Sequence, residues 1–426
     1  MGGKRIHCDV PLNRVEGDLE VRVAVENDRV AEAWSRGTLF RGFERMLVDR
    51  APMDSLVVTP RICGICSTTH LAAAARALDQ VAGVTPPDNA IRMRNAALMA
   101  EQIQSDLRQS LLMFMVDFAN SAYADHSLAD EARRRYAPVG GQHHPPGARS
   151  VAAVRETKHI LELVALVGGQ WPHTSFMVPG GVVYKAEPRS LQQGRHIVKA
   201  LRRWYEDQVL GCSLERWAAV RSVADLDAWL AESAAHRESD AGFLMRFGRE
   251  AGLDRLGAGP GTFLSYGNLP LPAETAVAGR AGRFVPAGFA RGADTGPFHE
   301  GHIAEHTAFS WYQGDPGGHH PWSGRTEPLM EDGGERYSWA KAPRYRGAPA
   351  ETGPLAERIL AGDGLFTDWV GRDGPNVLAR QLARLTRPAT LFGPLEAWLE
   401  ETLAALTPDE STAQQAQRPI MSPASS

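Results

Sequence analysis

The spacing of hydrophobic positions changes along the chain, and each change predicts an element. Leu19, Val21, Val23 and Val25 alternate with Glu20, Arg22, Ala24 and Glu26, and period two predicts a half-buried strand. Asn27-Asp28 then reads as a turn and Arg29 to Trp34 as the return strand of a hairpin. Arg41 to Asp49 suits a short helix ending before Ala51-Pro52, and Ser55 to Val58 is a short apolar run stopped by Pro60. Thr68 to Val81 has helical composition. Pro86-Pro87-Asp88-Asn89 is a helix-start signal. From Ala90 to Phe118 apolar residues recur at helical spacing between Arg92, Arg94, Glu101, Asp106 and Arg108, which predicts a long, largely buried helix. Further helices are expected over Val151 to Leu166, Leu191 to Val209, and Leu378 to Leu406, the last interrupted near Pro388 and Pro394. Ser121 to Arg149 is polar and rich in Pro, Gly and His and reads as a surface excursion. Gly257 to His320 is rich in Gly and Pro, with strand-like pieces such as Phe284-Val285. The sum is an α+β fold, predominantly α, with long buried helices and an N-terminal β hairpin. It is expected to span residues 1–406 as one domain, followed by a disordered polar tail over 407–426.

Composition narrows the function classes. A chain of 426 residues, 43% hydrophobic and 23% charged, can bury a large core without disulfides. A net charge of −4 gives no basic field to hold nucleic acid. No apolar run is long enough for a transmembrane segment, and the N-terminal MGGKRIHCDV shows no apolar signal-peptide core. The expected location is cytoplasmic, or at a membrane through partners. Four cysteines, two of them three positions apart, are no disulfide framework. They suggest a reducing compartment and cysteines kept for chemistry.

The most informative stretch is Arg61-Ile62-Cys63-Gly64-Ile65-Cys66-Ser67-Thr68-Thr69-His70. Thiolates at i and i+3 can converge on one soft metal, with Gly64 relieving crowding in the turn. Arg61 favours thiolate over thiol. His70, one turn beyond Cys66 if a helix starts there, could ligate or donate a hydrogen bond to a sulfur. A thioredoxin-type pair would want a small βαβ context that these flanks do not supply. Zinc would need Cys63, Cys66, His70 and a distant ligand, because Cys8 and Cys212 are isolated. Inert buried cysteines are the third alternative. Glu16 and Glu44 each sit among apolar residues, Arg and Gly, which raises the expectation of burial and a perturbed pKa. On residues alone, both read as structural more readily than functional.

A set of longer motifs then carries a family resemblance. They are RVEG at Arg14 to Gly17, GTLFRGFE at Gly37 to Glu44, RICGICSTTH at Arg61 to His70, and SDLRQSLLMF at Ser105 to Phe114. GGQWPHTSFMVPGG follows at Gly168 to Gly181, WYEDQVLGCSLERW at Trp204 to Trp217, AEHTAFSWY at Ala304 to Tyr312, and YSWAKAPRYRGAPAETGPLA at Tyr337 to Ala356. The chain resembles the large subunit of [NiFe]-hydrogenases, close to the cytoplasmic uptake type. The resemblance implies oxidation of H2 to protons and electrons at a nickel–iron centre whose iron carries CO and cyanide. It implies Cys63 as a terminal nickel ligand, Cys66 as a thiolate bridging the metals, and His70 as a donor to the bridging sulfur. It implies Glu16 as the carboxylate relaying protons and Glu44 as a ligand or water anchor for magnesium or a similar divalent ion. It also implies a small-subunit partner carrying iron–sulfur clusters, and maturation factors.

The family pattern also has a C-terminal Asp-Pro-Cys-x-x-Cys-x-x-His and an upstream Arg-Gly-x-x-x-His-Trp. Neither occurs here, and no cysteine follows Cys212. The expectation is therefore a large subunit incomplete as encoded, completed by a separate chain supplying the missing part. The alternative is a non-catalytic maturation scaffold carrying the iron fragment. A third, a metal-free structural relative, is disfavoured by the presence of Cys63, Cys66, His70, Glu16 and Glu44. The same reasoning expects apolar surface over Ala97 to Phe118 to be poorly covered, and the isolated chain to be marginally soluble.

Overall fold

A computed structural model describes residues 5–406 apart from 13, 16, 142–144, 185, 274–281, 293, 315–316, 325 and 330–334. Glu16 and the tail 407–426 therefore lie outside the described residues. The chain divides into two units, Met1–Arg50 with Phe298–Ala350, and Ala51–Pro297 with Glu351–Ser426.

The smaller unit is built on a three-stranded antiparallel sheet of β1 (Ile6–Leu12), β2 (Leu19–Glu26) and β3 (Arg29–Gly37), in that order. The expected hairpin is its β2–β3 half, with Glu26 opposite Arg29. Asn27 and Asp28 both have positive φ, at 50° and 60°. Two consecutive left-handed residues give the turn whose twist matches the strands, and Asn and Asp tolerate that region. Strand β1 was not read from the sequence, although Ile6, Cys8, Val10 and Leu12 alternate with His7, Asp9 and Pro11; all of its residues are exposed. Helix α1 (Phe43–Leu47) follows, and Ile303–His306 pairs antiparallel with Ala342–Tyr345. The unit closes through Ser338, whose Oγ accepts from Gly37 N–H at 3.0 Å, and Trp339 N–H, which donates to Gly37 O at 2.8 Å. The Trp339 ring stacks on Phe40, centroids 4.7 Å apart.

The larger unit is helical. Helix α2 (Ser55–Val58) is followed by α3 (Ser67–Ala82) and α4 (Asp88–Arg108). A π turn, Gln109–Phe114, and a 3-10 turn, Met115–Ala119, carry α4 on to the expected end of the long helix. Next come α5 (Ala129–Tyr136), α6 (Ala148–Gly168) and α7 (Pro188–Trp204), the last extended by a π turn over Tyr205–Leu210. The surface-excursion reading of Ser121 to Arg149 is corrected by α5. Ala129, Ala132 and Tyr136 are buried there, and Tyr136 Oη donates to Asp240 at 2.5 Å.

Four short helices were not read from the sequence: α8 (Leu214–Ala218), α9 (Val223–Glu232), α10 (Ala234–Glu238) and α11 (Asp240–Glu250). A signal for them was present. Ser213, Ser222, Ser233 and Ser239 each accept a capping bond from an amide of the first turn. The Gly/Pro-rich stretch holds strands Thr262–Pro270 and Arg283–Arg291, which pair antiparallel and include the expected Phe284-Val285. Helices α12 (Pro354–Leu360), α13 (Gly364–Asp373), α14 (Val377–Thr386) and α15 (Pro388–Leu406) complete the unit. Pro388 marks the break between α14 and α15, whereas α15 runs through Pro394.

Helix α4 is the centre of this unit. Ala97, Ile103, Leu107, Leu111 and Met115 are fully buried, and α6, α14 and α15 pack on the helix. The expectation of poor cover over Ala97 to Phe118 is thus corrected. Four of the six charges of α4, Arg92, Arg94, Glu101 and Asp106, are buried as well, and each finds a partner. Arg94 donates to Asp79 at 2.6 Å and to the carbonyls of Val178 and Gly181, and Arg92 donates to Glu401 at 2.8 Å. Asp106, with no exposed surface, accepts from Arg387 at 2.7 and 2.8 Å and from Arg384 at 3.2 Å. Such pairs cost desolvation and fix which helix faces which, because removing one partner leaves a buried charge alone.

Candidate metal centre

The cysteine turn lies between two pieces of helix. A 3-10 turn, Thr59–Arg61, contains the buried Pro60, and α3 begins at Ser67 with Cys66 as its N-cap residue. Cys63 is buried and Cys66 half-buried. The Cys66 N–H points at Cys63 Sγ, 3.3 Å away, so one thiol packs against the backbone of the other. His70 stands one turn along, as the spacing predicted, and its N–H donates to Cys66 O at 3.3 Å. Crowding does not explain the glycine between them: a Cβ on Gly64 would meet no atom within 4 Å.

Residues that sequence reasoning passed over hold this turn in place. Glu101, on α4 and 1% exposed, accepts the N–H groups of Thr68 and Thr69, both at 2.9 Å. It also accepts Thr69 Oγ1 at 3.1 Å and Trp171 Nε1 at 3.2 Å. Thr68 and Thr69 lie in the first turn of α3, where amides have no intrahelical acceptor. A second strap comes from His173. Its Nδ1 lies 2.8 Å from Pro60 O, and its N–H donates to Ser67 Oγ at 3.1 Å, so one residue ties both flanks of the turn. Close packing of Gly168 fixes the strap, since a Cβ there would lie 2.8 Å from the Phe176 ring. The signals were a Glu on an apolar face and a His in the Gly168 to Gly181 motif.

The other candidates belong to the smaller unit. Glu44 is in the first turn of α1, and its side chain is 64% exposed, which corrects the expectation of burial. Lys341 Nζ lies 3.8 Å from it and bonds Glu305 at 3.1 Å and Thr326 at 2.9 Å. A cavity of about 420 Å³ is lined by Val15, Gly17, Phe40, Glu44, Tyr312 and Thr326 among others. It thus brings Glu44 together with the neighbours of Glu16. Burial, reinforced by the charges of Glu44 and Glu305, pushes the Tyr312 hydroxyl above its ordinary pKa.

The two outlying cysteines are unlike the pair. Cys8 is exposed on β1. Cys212 accepts from Trp229 Nε1 at 3.4 Å, and burial pushes its thiol up. Among the described residues no group of three or more His, Cys, Asp or Glu side chains could hold a metal ion. The two thiols of the turn fit a soft metal as part of a ligand set. Glu44, exposed and beside an ammonium, does not by itself make a site for a hard divalent ion.

The sequence model for nickel-dependent hydrogenase matches residues 41–138 and 148–420. The chain belongs to that family. It is similar to the uptake hydrogenase large subunit of Rhodobacter capsulatus, 28% identical over 91% of this chain and 71% of the relative. It is also similar to the hydrogenase-2 large chain of Escherichia coli K12, 27% identical over 84% of this chain and 68% of that one. The reduced Ni-Fe-Se hydrogenase of D. vulgaris Hildenborough superposes with a TM-score of 0.74 at 25% identity, covering 94% of this chain and 79% of that structure. The chain is thus a hydrogenase large subunit of the nickel–iron type with the α+β, predominantly helical fold of that family. Hydrogenase large chains are oxidoreductase subunits and pair with a small subunit. Among the described residues no helix is long and apolar enough to cross a membrane.

Proposed function

We propose that this large subunit serves H2 oxidation, H2 to two protons and two electrons, with Cys63 and Cys66 holding the nickel–iron centre. The observation that carries this reading is the turn itself. A buried thiol and a half-buried thiol sit three residues apart, with Glu101 and His173 bonded to the backbone on either side. A nickel–iron centre with CO and cyanide on its iron supplies the heterolytic splitting of H2 when bound. The chain's own residues do the rest. Cys63 and Cys66 supply soft thiolates. His70 stabilises the sulfur of Cys66 by donating a hydrogen bond. Glu16, given this role by its motif, would accept the proton from a protonated cysteine sulfur, leaving the thiolate, because a carboxylate can take and pass on a proton where an amide cannot. Electrons leave to iron–sulfur clusters of the small subunit.

A second reading has one observation in its favour. The donors that the described residues bring together are two thiols of a single turn, fewer than a four-thiolate nickel site requires. A scaffold that holds the iron fragment during maturation would need no more. Dye reduction by H2 discriminates the two. The chain is purified with its small subunit and a fragment carrying a C-terminal cysteine pair, alongside Cys66→Ser. Uptake by the assembly that falls at least about a thousandfold in the variant supports catalysis. A metal-loaded assembly with no uptake contradicts the catalytic reading and leaves the scaffold.

A further inference from the structure

We infer that Glu101 is a positioning residue for the thiolate turn: its carboxylate fixes the backbone of residues 66–69 and so the direction in which Cys63 and Cys66 present sulfur to a soft metal. The inference rests on the reading of the two thiols given above.

Three observations carry it. First, the N-cap of α3 is unusual for its residue type. Ser, Thr, Asp and Asn are preferred because their side chains accept amides of the first turn, but this N-cap is Cys66, whose side chain makes no capping bond. The capping is done from another helix. Glu101 lies 33 residues beyond Thr68 in the chain and takes the amides of both Thr68 and Thr69 at 2.9 Å. A cap made by the N-cap side chain would turn that side chain onto the amides. Delegating the cap to Glu101 leaves the position of the sulfur to be set by something other than helix capping.

Second, Glu101 is a carboxylate that is 1% exposed and, among the described residues, pairs with no Arg or Lys. Its charge is met by N–H and O–H donors and the positive end of α3. Burying a charge on neutral donors is costly unless several of them converge, and here four do. Third, one of those donors is Trp171 Nε1, from the segment whose His173 bonds Pro60 O and Ser67 Oγ. The carboxylate thus joins α4, the start of α3 and the strap across both ends of the turn. A glutamine would keep the size of the side chain but set an NH2 against the amides of Thr68 or Thr69.

The test uses the full chain without oxygen and cobalt(II) alone as probe, read by thiolate-to-cobalt charge-transfer absorption. The variants are Glu101→Gln, Trp171→Phe and a Cys63→Ser, Cys66→Ser pair. We expect Glu101→Gln to bind cobalt about tenfold more weakly, the effect of losing a charge-assisted hydrogen bond. We expect Trp171→Phe, which removes one of the four donors, to bind roughly twofold to threefold more weakly. A Glu101→Gln protein with unchanged far-ultraviolet circular dichroism and cobalt affinity within about twofold of wild type overturns the inference. Should Glu101→Gln fail to fold, Trp171→Phe decides: weaker binding upholds the inference and wild-type affinity overturns it. Should wild type give no thiolate band, or the cysteine pair variant retain it, the two-thiol reading fails instead. Glu101 is then judged by amide hydrogen exchange over residues 62–70. Exchange at least about tenfold faster in the variants upholds its role, and unchanged exchange overturns it.

Discussion

The two units treat their candidate residues in opposite ways. In the larger unit the cysteine turn is backed by the buried helix α4, and Glu101 and His173 bond its flanking backbone. In the smaller unit Glu44 projects from a helix of five residues into solvent, beside Lys341. In the sequence the cysteine pair stands out by its spacing, whereas Glu44 carries only an expectation of burial from its apolar, Arg and Gly neighbours. The difference teaches that local composition does not report burial. Cys63 is buried, and segments 33 to more than 100 residues away bond the backbone on both sides of its turn. Among the described residues of its own unit, Glu44 keeps a side chain that is 64% exposed.

That contrast can be broken most severely at Asp106. Its carboxylate joins α4 to Arg384 and Arg387 with no exposed surface. Asp106→Asn should destabilise the chain by roughly 3–5 kcal/mol, because two guanidinium groups lose their buried counter-charge. Denaturant unfolding measures it, and a loss below about 1 kcal/mol would mean that water reaches this pair.

A smaller effect separates the outlying cysteines. Cys8 is exposed, whereas burial raises the pKa of Cys212 and so lowers its thiolate fraction. Iodoacetamide at mildly alkaline pH, followed by peptide mass spectrometry, should label Cys8 at least about tenfold faster than Cys212. Equal rates would show that the packing around Trp229 opens readily.

The smallest effect is expected at Glu44. Glu44→Ala should change stability by less than about 0.5 kcal/mol, since its contact with Lys341 is long and exposed. A loss above about 1.5 kcal/mol, measured on the small-subunit complex, would show that a partner or a hard ion covers this residue in the assembly.

How much was legible follows the same line. The hairpin, the long helices and the breaks near Pro388 were readable because period, turn residues and proline act over a few neighbours. The helix beginning at Ser67 was expected one residue later, at Thr68, and it puts His70 a turn beyond Cys66 as supposed. Strand β1 was passed over although Ile6, Cys8, Val10 and Leu12 alternate with His7, Asp9 and Pro11, and all seven residues are exposed. Helix α5 was missed because its buried positions are small or aromatic residues among charges. At the candidate centre the thiols were legible from their spacing, but Glu101, Trp171 and His173 were not. Their roles depend on contacts between distant segments, and nothing in the few residues around each of them encodes the partner.

The most direct measurement of the central claim is the iron content and infrared spectrum of the chain purified without oxygen from cells that also make hydrogenase maturation factors. The comparison is with a Cys63→Ser, Cys66→Ser variant whose folding is checked by circular dichroism. If the two thiols hold the iron of the centre, the wild-type chain carries stoichiometric iron with bands of bound CO and cyanide, and the variant loses both. Iron and diatomic bands that persist at wild-type levels in the folded variant, or a wild-type chain with neither under the same maturation, would contradict it.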